Sequence, residues 1–397
     1  MYVTRPLSMY INQPSALSLP PPEGPNSGIL VLQDEEAELT CCFGLCKSNE
    51  VLDLPFPQNK DLTLRYSTGV GNRPNQVDHF YASFIPVLNL PLSSNRYYVI
   101  QTHGRHKGEA YTNSSEEDMT SCCFCNIVRD VPPQPLDHNS TYQQFEVMRV
   151  QGLFNQWGRF TARAVAPDGV PPRFLERKGW EANTSSRHSF DLGEAPGLNA
   201  SLRAQLPDFN FPLSYKTSDT VIVGKWYCPF MFIREGRLKD QVRNSAYYEM
   251  TLEQNWERIF ECDNAYAGGN NSVAVDVSVQ KMRVLISGKE AEDEHVADGI
   301  MWFRSHSNGL KEASSSVGLS MAIVDRMRWE QERAGYIWGN ERHVRVKEVD
   351  HVLEGREGWN NYGCYVLVER FVLRRSDGSL VLTCEFKHTH RIRSKWD

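Results

Sequence analysis

The chain has 397 residues, enough for two or three domains that each bury a core. Its 40% hydrophobic, 11% aromatic and 23% charged content excludes a disordered chain. A formal net charge of −6 excludes a generic nucleic-acid binder, which needs an excess of Lys and Arg to displace counterions.

Residues 1–27 read as an extended, proline-rich arm, with "LPPPEGP" near polyproline II. Such an arm either docks a protein partner or lies as a strap on the protein's own surface. It contains no apolar stretch of signal-peptide length, residue 2 is tyrosine, and the C-terminus "RSKWD" is no prenylation box. No run reaches the roughly eighteen apolar residues of a membrane-spanning helix. A cytoplasmic or nuclear protein without signal peptide or transmembrane segment is therefore expected, in a compartment that disfavours stable disulfides.

From 28 to 136 short runs such as "GILVLQ", "DLTLRYS", "ASFIPVL" and "YYVIQT" alternate with turn residues and predict a cysteine-rich β domain. Its ends carry "ELTCCFGLCK" and "DMTSCCFCNI", which hold six of the ten cysteines. Cys41, Cys46, Cys122 and Cys125 have spacings that can supply four thiolates to a structural tetrahedral zinc. The competing reading is that these thiols fill a hydrophobic core, as free cysteines often do.

A middle β segment, 137–235, packs on that domain in this reading. It holds the strands "YQQFEVMRV", "RFTARAV" and "TVIVGKWYCPFMFI" and one short helix, "NASLRAQL", capped by Asn199. The C-terminal α+β domain, 236–397, opens with a predicted helix, "TLEQNWERIF". There Thr251 and Gln254 match a capping box, and Leu252, Trp256, Ile259 and Phe260 recur at helical spacing. "SVAVDVSVQ" alternates as a half-buried strand, "KEAEDE" (289–294) reads as a solvated loop, and "LSMAIVDRMRW" fits both periods and is assigned to strand.

A closing hairpin turns at Asp377-Gly378, a type I′ signal. Its register places Leu373 opposite Leu382, Phe371 opposite Cys384 and Arg370 opposite Glu385. Beyond these, Glu369 lies diagonal to His388, with His390 two residues on. Such a group either runs acid–base or metal chemistry or forms a polar rim. On the opposite face, Lys387, Arg391, Arg393 and Lys395 recur every second or fourth residue, as an anion or partner contact or as the charges that protect an edge strand. The chain has no Walker A, G-x-G-x-x-G, H-E-x-x-H or G-x-S-x-G motif.

The phrases "MYVTRPLSMY", "PSALSLPPPEGPNSG", "TCCFGLC", "LPLSSNRYYVI", "EEDMTSCCFC", "VAPDGVPPRFLERKGW", "VGKWYCPF" and "YYEMTLEQNWE" occur in this order. In them the chain resembles the land-plant family known as domain of unknown function 1262, from Met1 to about Glu261. The resemblance implies a plant, intracellular protein and no particular activity, because the family has no established one. Restriction to plants points to a stress or defence response.

The reading is thus an α+β, β-rich fold of antiparallel sheets with few helices and at least two packed domains. The expected function is that of a non-catalytic binding or interaction protein. An enzyme with its site near the C-terminal hairpin and a zinc-stabilised scaffold are the alternatives.

Overall fold

The computed structural model describes residues 1–41, 46–68, 76–122, 125–150, 158–189, 192–264, 272–305, 315–339, 341–351 and 359–397. For residues 40, 41, 46, 47, 119–122, 125–127, 185–189, 293 and 294 the description covers the backbone only. Strands of five or more residues are numbered here in chain order. They are β1 (Tyr2–Pro6), β2 (Gly28–Leu32), β3 (Lys60–Thr68), β4 (Gln76–Pro86), β5 (Arg96–Gln101) and β6 (Gln144–Arg149). Then come β7 (Arg159–Ala164), β8 (Trp180–Ser189), β9 (Val221–Pro229), β10 (Tyr247–Asp263), β11 (Ser272–Gln280) and β12 (Met282–Ile286). The last six are β13 (Lys289–Ala297), β14 (Ile300–Ser305), β15 (Ser316–Ser320), β16 (His343–His351), β17 (Asn361–Arg374) and β18 (Leu380–Trp396). The longer helices are α1 (Leu7–Asn12), α2 (Ala200–Gln205), α3 (Leu238–Asn244) and α4 (Met321–Arg333).

Strands β7-β6-β5-β4-β3-β8 form an antiparallel sheet that closes on itself through β7 and β8. Period-two alternation fills this barrel: Leu62, Leu64, Ala82, Phe84, Tyr97, Val99, Phe145, Val147, Phe160, Ala162, Trp180 and Ala182 all point inward. Phe56 plugs the interior, with its ring 5.1 Å from both Phe84 and Phe160. Alternate residues of β5, Tyr98 and Ile100, face outward into a second core shared with the large sheet.

That sheet runs β15-β14-β13-β12-β18-β17-β10-β9-β1-β2, with Ile233–Arg234 beyond β15 and Gly197–Leu198 beside β9. It is antiparallel except where β1 and β2 run parallel. A separate ribbon, β11 with β16, packs Val273 and Val275 on the far end of β10, β17 and β18.

The β-rich, antiparallel character agrees with the sequence reading, but the grouping of strands does not follow the divisions at 27, 136 and 235. The barrel takes strands from both sides of residue 136. The large sheet joins the first 32 residues to the last 200.

Residues 1–27 are no exposed arm. Met1, Tyr2 and Val3 are buried, and β1 lies inside the sheet between β9 and β2. Its aromatic and β-branched residues suit a strand; one proline, Pro6, ends that strand and the others lie in the crossover that leads to β2. The Tyr2 ring occupies the space where a Cβ on Gly28 would sit, and the Tyr2 hydroxyl donates to the Pro86 carbonyl at 2.9 Å.

"TLEQNWERIF" is strand rather than helix. It forms the middle of β10, hydrogen-bonded on one side to β9 and on the other to β17. Leu252 and Trp256, four apart, fit period two as well as 3.6. Ile259 and Phe260 kept the helical appearance only because a β-bulge at that point shifts the phase. Conversely, most of "LSMAIVDRMRW" is helix: Ser320 ends β15 and caps α4, its hydroxyl accepting from the Ala322 amide at 3.3 Å. "KEAEDE" is not a loop but the start of β13. The Asn199 cap is found as expected, accepting from the Leu202 amide at 3.0 Å.

The closing hairpin has the expected register at Leu373–Leu382, Phe371–Cys384 and Arg370–Glu385. Its turn is not type I′, since only Gly378, at φ +82°, is left-handed.

Candidate functional site

The even-numbered face of β18 carries Leu382, Cys384, Phe386 and His388, and register aligns it with Phe371, Glu369 and Leu367 of β17. Helix α4 packs on this face through Ala322, Ile323, Val324 and Met327. It serves two regions of opposite character.

One region gathers the acid–base candidates. Glu369 is 1% exposed, and Arg203 of α2 grips it, donating Nε to Oε1 at 2.8 Å and Nη2 to Oε2 at 2.5 Å. Gln254 and Gln331 each donate to it at 2.7 Å. Burial alone would raise the Glu369 carboxyl, but hydrogen bonds and charge from Arg203 and the neighbouring His388 outweigh it and hold the group well below the usual carboxylate range. Glu330, also buried, links Arg203 at 3.3 Å to Arg326 at 2.7 Å, and Arg326 reaches the Ser27 hydroxyl.

Glu369 and His388 are therefore brought together as their diagonal register implied, with Nε2 3.4 Å from the carboxylate. Both are sealed under α4, and His390 is exposed, its ring 5.5 Å from that of His388. Every oxygen of Glu369 is occupied by Arg203 and the two glutamines. This is a structural ion-pair node.

The expected basic row is broken. Between Leu367–His388 and Val366–Ile392 the register slips by three residues, which moves the later residues to the other face. Lys387 points to the face away from α4 and pairs with Glu257 at 2.8 Å. Arg393 lies 5.0 Å over the Trp256 ring and Lys395 3.9 Å over Phe211, on the α4 side, while Arg391 is exposed.

The second region is a cleft of about 1110 Å³, slightly larger than the roughly 300–1,000 Å³ of most small-molecule sites. Its floor follows from register: Met282 pairs with Phe386, Val284 with both Cys384 and Ala291, and Met301 and Phe303 continue it on β14. Val324 and Met327 of α4 form one wall. The other is made by the chain leaving the helix. Gly335, at φ +89°, reverses direction while the Tyr336 amide donates back to the Gln331 carbonyl at 3.0 Å. This brings the Tyr336 and Trp338 rings edge-on to Phe386, at 5.4 and 5.6 Å.

Three of the ten methionines line the cleft, giving an adaptable, polarisable surface. Burial pushes the Cys384 thiol up to about 12, so it behaves as a small apolar group there. None of the residues singled out as catalytic or basic candidates lines this cleft. The signal in the sequence was "GYIWG", an aromatic pair flanked by glycines directly after a helical stretch.

The cysteine clusters fall on backbone-only residues. Each forms a short hairpin that sets Cys41 across from Cys46 and Cys122 across from Cys125. Cys42 and Cys123 lie outside the described residues. Among the described residues no cluster of His, Cys, Asp and Glu is placed to hold a metal, and no helix is long and apolar enough to cross a membrane.

Comparison with known proteins places a short stretch. Residues 23–124 match the family model described as "Protein of unknown function (DUF1262)". The match runs from just before β2 through β3–β5 to the second cysteine hairpin. No curated protein matches the chain. Among solved structures the chain is similar to the crystal structure of Cry35Ab1, at 10% identity and a TM-score of 0.47, over 86% of this chain and 90% of that one.

Proposed function

We propose that this protein works by binding rather than by catalysis, and that it takes a small, largely apolar molecule in the cleft beside α4. The cleft itself carries this reading: an open, methionine- and aromatic-lined hollow of ligand size with charged residues at its rim. The acid–base candidates support it from the other side, since Glu369 is closed off and committed to the ion-pair node and His388 is buried beside it. Titration with the uncharged fluorophore N-phenyl-1-naphthylamine tests the proposal. Saturable binding should be weakened when Met301→Trp places a bulky ring across the cleft floor, with the melting curve unchanged. Equal binding by both proteins, or none by either, would overturn it.

A second reading concerns the cysteine hairpins. Cross-strand placement of Cys41 with Cys46 and of Cys122 with Cys125 supplies two thiolate pairs of the kind a structural zinc needs. Elemental analysis of protein purified without added metal tests it. About one zinc per chain would support a zinc-stabilised scaffold, and no zinc together with ten titratable thiols would end that reading.

A further inference from the structure

The charges at the cleft are unevenly answered. On the rim, Arg342 pairs with Glu292 at 3.5 Å and Gln280 donates to Glu290 at 3.4 Å. Lys281 and Arg328 differ: among the described residues neither has a carboxylate partner. Lys281 Nζ donates to the Ile337 carbonyl at 2.6 Å and stands 5.1 Å over the Tyr336 ring. The Arg328 guanidinium stands 5.5 Å over the Trp338 ring. These two rings touch edge to face at 5.0 Å, so the two cations flank one aromatic pair at the cleft wall. Arg328 is only partly exposed, which strengthens its pull on an anion compared with a fully solvated side chain.

We propose that the ligand is an amphipathic carboxylate, with its acid group held by Lys281 and Arg328 and its apolar body laid on Met282, Met301, Phe303 and Phe386. This deepens the binding reading above and rests on it. An apolar body satisfies the floor, and an anion supplies the negative charge that neither cation is paired with among the described residues. Guanidinium and ammonium groups together favour a carboxylate through charge-assisted hydrogen bonds. Glu341 is the remaining carboxylate on the rim, and it makes a cationic head the competing specificity.

The experiment compares three probes with the same chain, dodecanoate, dodecanol and dodecyltrimethylammonium, each below its micelle concentration, by calorimetry on the full chain. Dodecanoate should bind about tenfold or more tightly than dodecanol, the size of a hydrogen bond to a charged group. Arg328→Gln should erase that preference, Arg328→Lys should keep part of it, and dodecanol binding should stay unchanged as the sign of an intact cleft. Equal affinities for acid and alcohol, unaltered by Arg328→Gln, would overturn the head-group assignment and leave the binding reading standing. A preference for the ammonium probe would overturn it in favour of Glu341. Failure of all three probes to bind would overturn the binding reading as well.

Discussion

The two regions that α4 serves share a sheet face and a helix, and they differ in how their charges are answered. In the first, Glu369, Glu330, Arg203 and Arg326 lie in protein interior, and each finds partners of opposite charge. In the second, Lys281 and Arg328 sit at an opening and lean on aromatic rings. A buried charge must be compensated within the fold, so its pairing marks structure. Lys281 and Arg328 border an apolar hollow and have no carboxylate partner among the described residues, which is the basis of the proposed anion contact. Titratable residues close together in space thus meant architecture here, and the proposed binding site is floored by residues of little acid–base interest.

The contrast can be broken most forcefully at Glu369. Glu369→Ala leaves Arg203 buried without its main partner and should cost about 3–5 kcal/mol in urea unfolding at neutral pH. A loss below about 1 kcal/mol would mean that the node is not structural.

Acid should act through the same group. Because the folded carboxyl titrates below its unfolded value of about 4.3, its contribution is fully present above that pH and fades as pH falls toward the folded value. The stability gap between wild type and Glu369→Gln should therefore be widest near neutrality and shrink below about pH 4. A gap constant with pH would contradict the pairing.

On the cleft side, Gly335→Ala forces a side chain into a left-handed position, 3.0 Å from the His390 ring. It should cost about 1–2 kcal/mol and weaken probe binding as Tyr336 and Trp338 shift. Unchanged binding would separate these rings from the site.

The smallest effect is expected at Arg393. Losing its stacking on Trp256 should cost about 0.5–1 kcal/mol and leave dodecanoate affinity untouched. Weaker dodecanoate binding would restore the basic row as an anion contact.

What the sequence revealed depended on whether a signal was local. The register of β17 with β18 was legible because apolar and opposite-charge pairs reinforce one another across a single turn. The cap at Asn199 was legible for the same reason. The helix expected at "TLEQNWERIF" failed because Leu252 and Trp256 suit both periods and the bulge at Ile259 counterfeits a helical step. The basic row failed at the second bulge, which no composition announces. The N-terminal strand was hidden because its partners, β2 and β9, lie 26 and about 220 residues away. The cleft was illegible for a similar reason: its residues come from β12–β14, α4, the chain after Gly335 and β18, and only the sheet order brings them together. Its lining even includes the first four residues of "KEAEDE", Lys289 to Glu292, which composition alone marks as solvated loop.

The most direct measurement is a crystal of the protein grown with 12-bromododecanoate, with the bromine located by anomalous scattering. A carboxylate is expected within hydrogen-bonding distance of Lys281 and Arg328, with bromine against Met301 and Phe303. Bromine found elsewhere on the molecule, with the cleft holding only solvent, would contradict it.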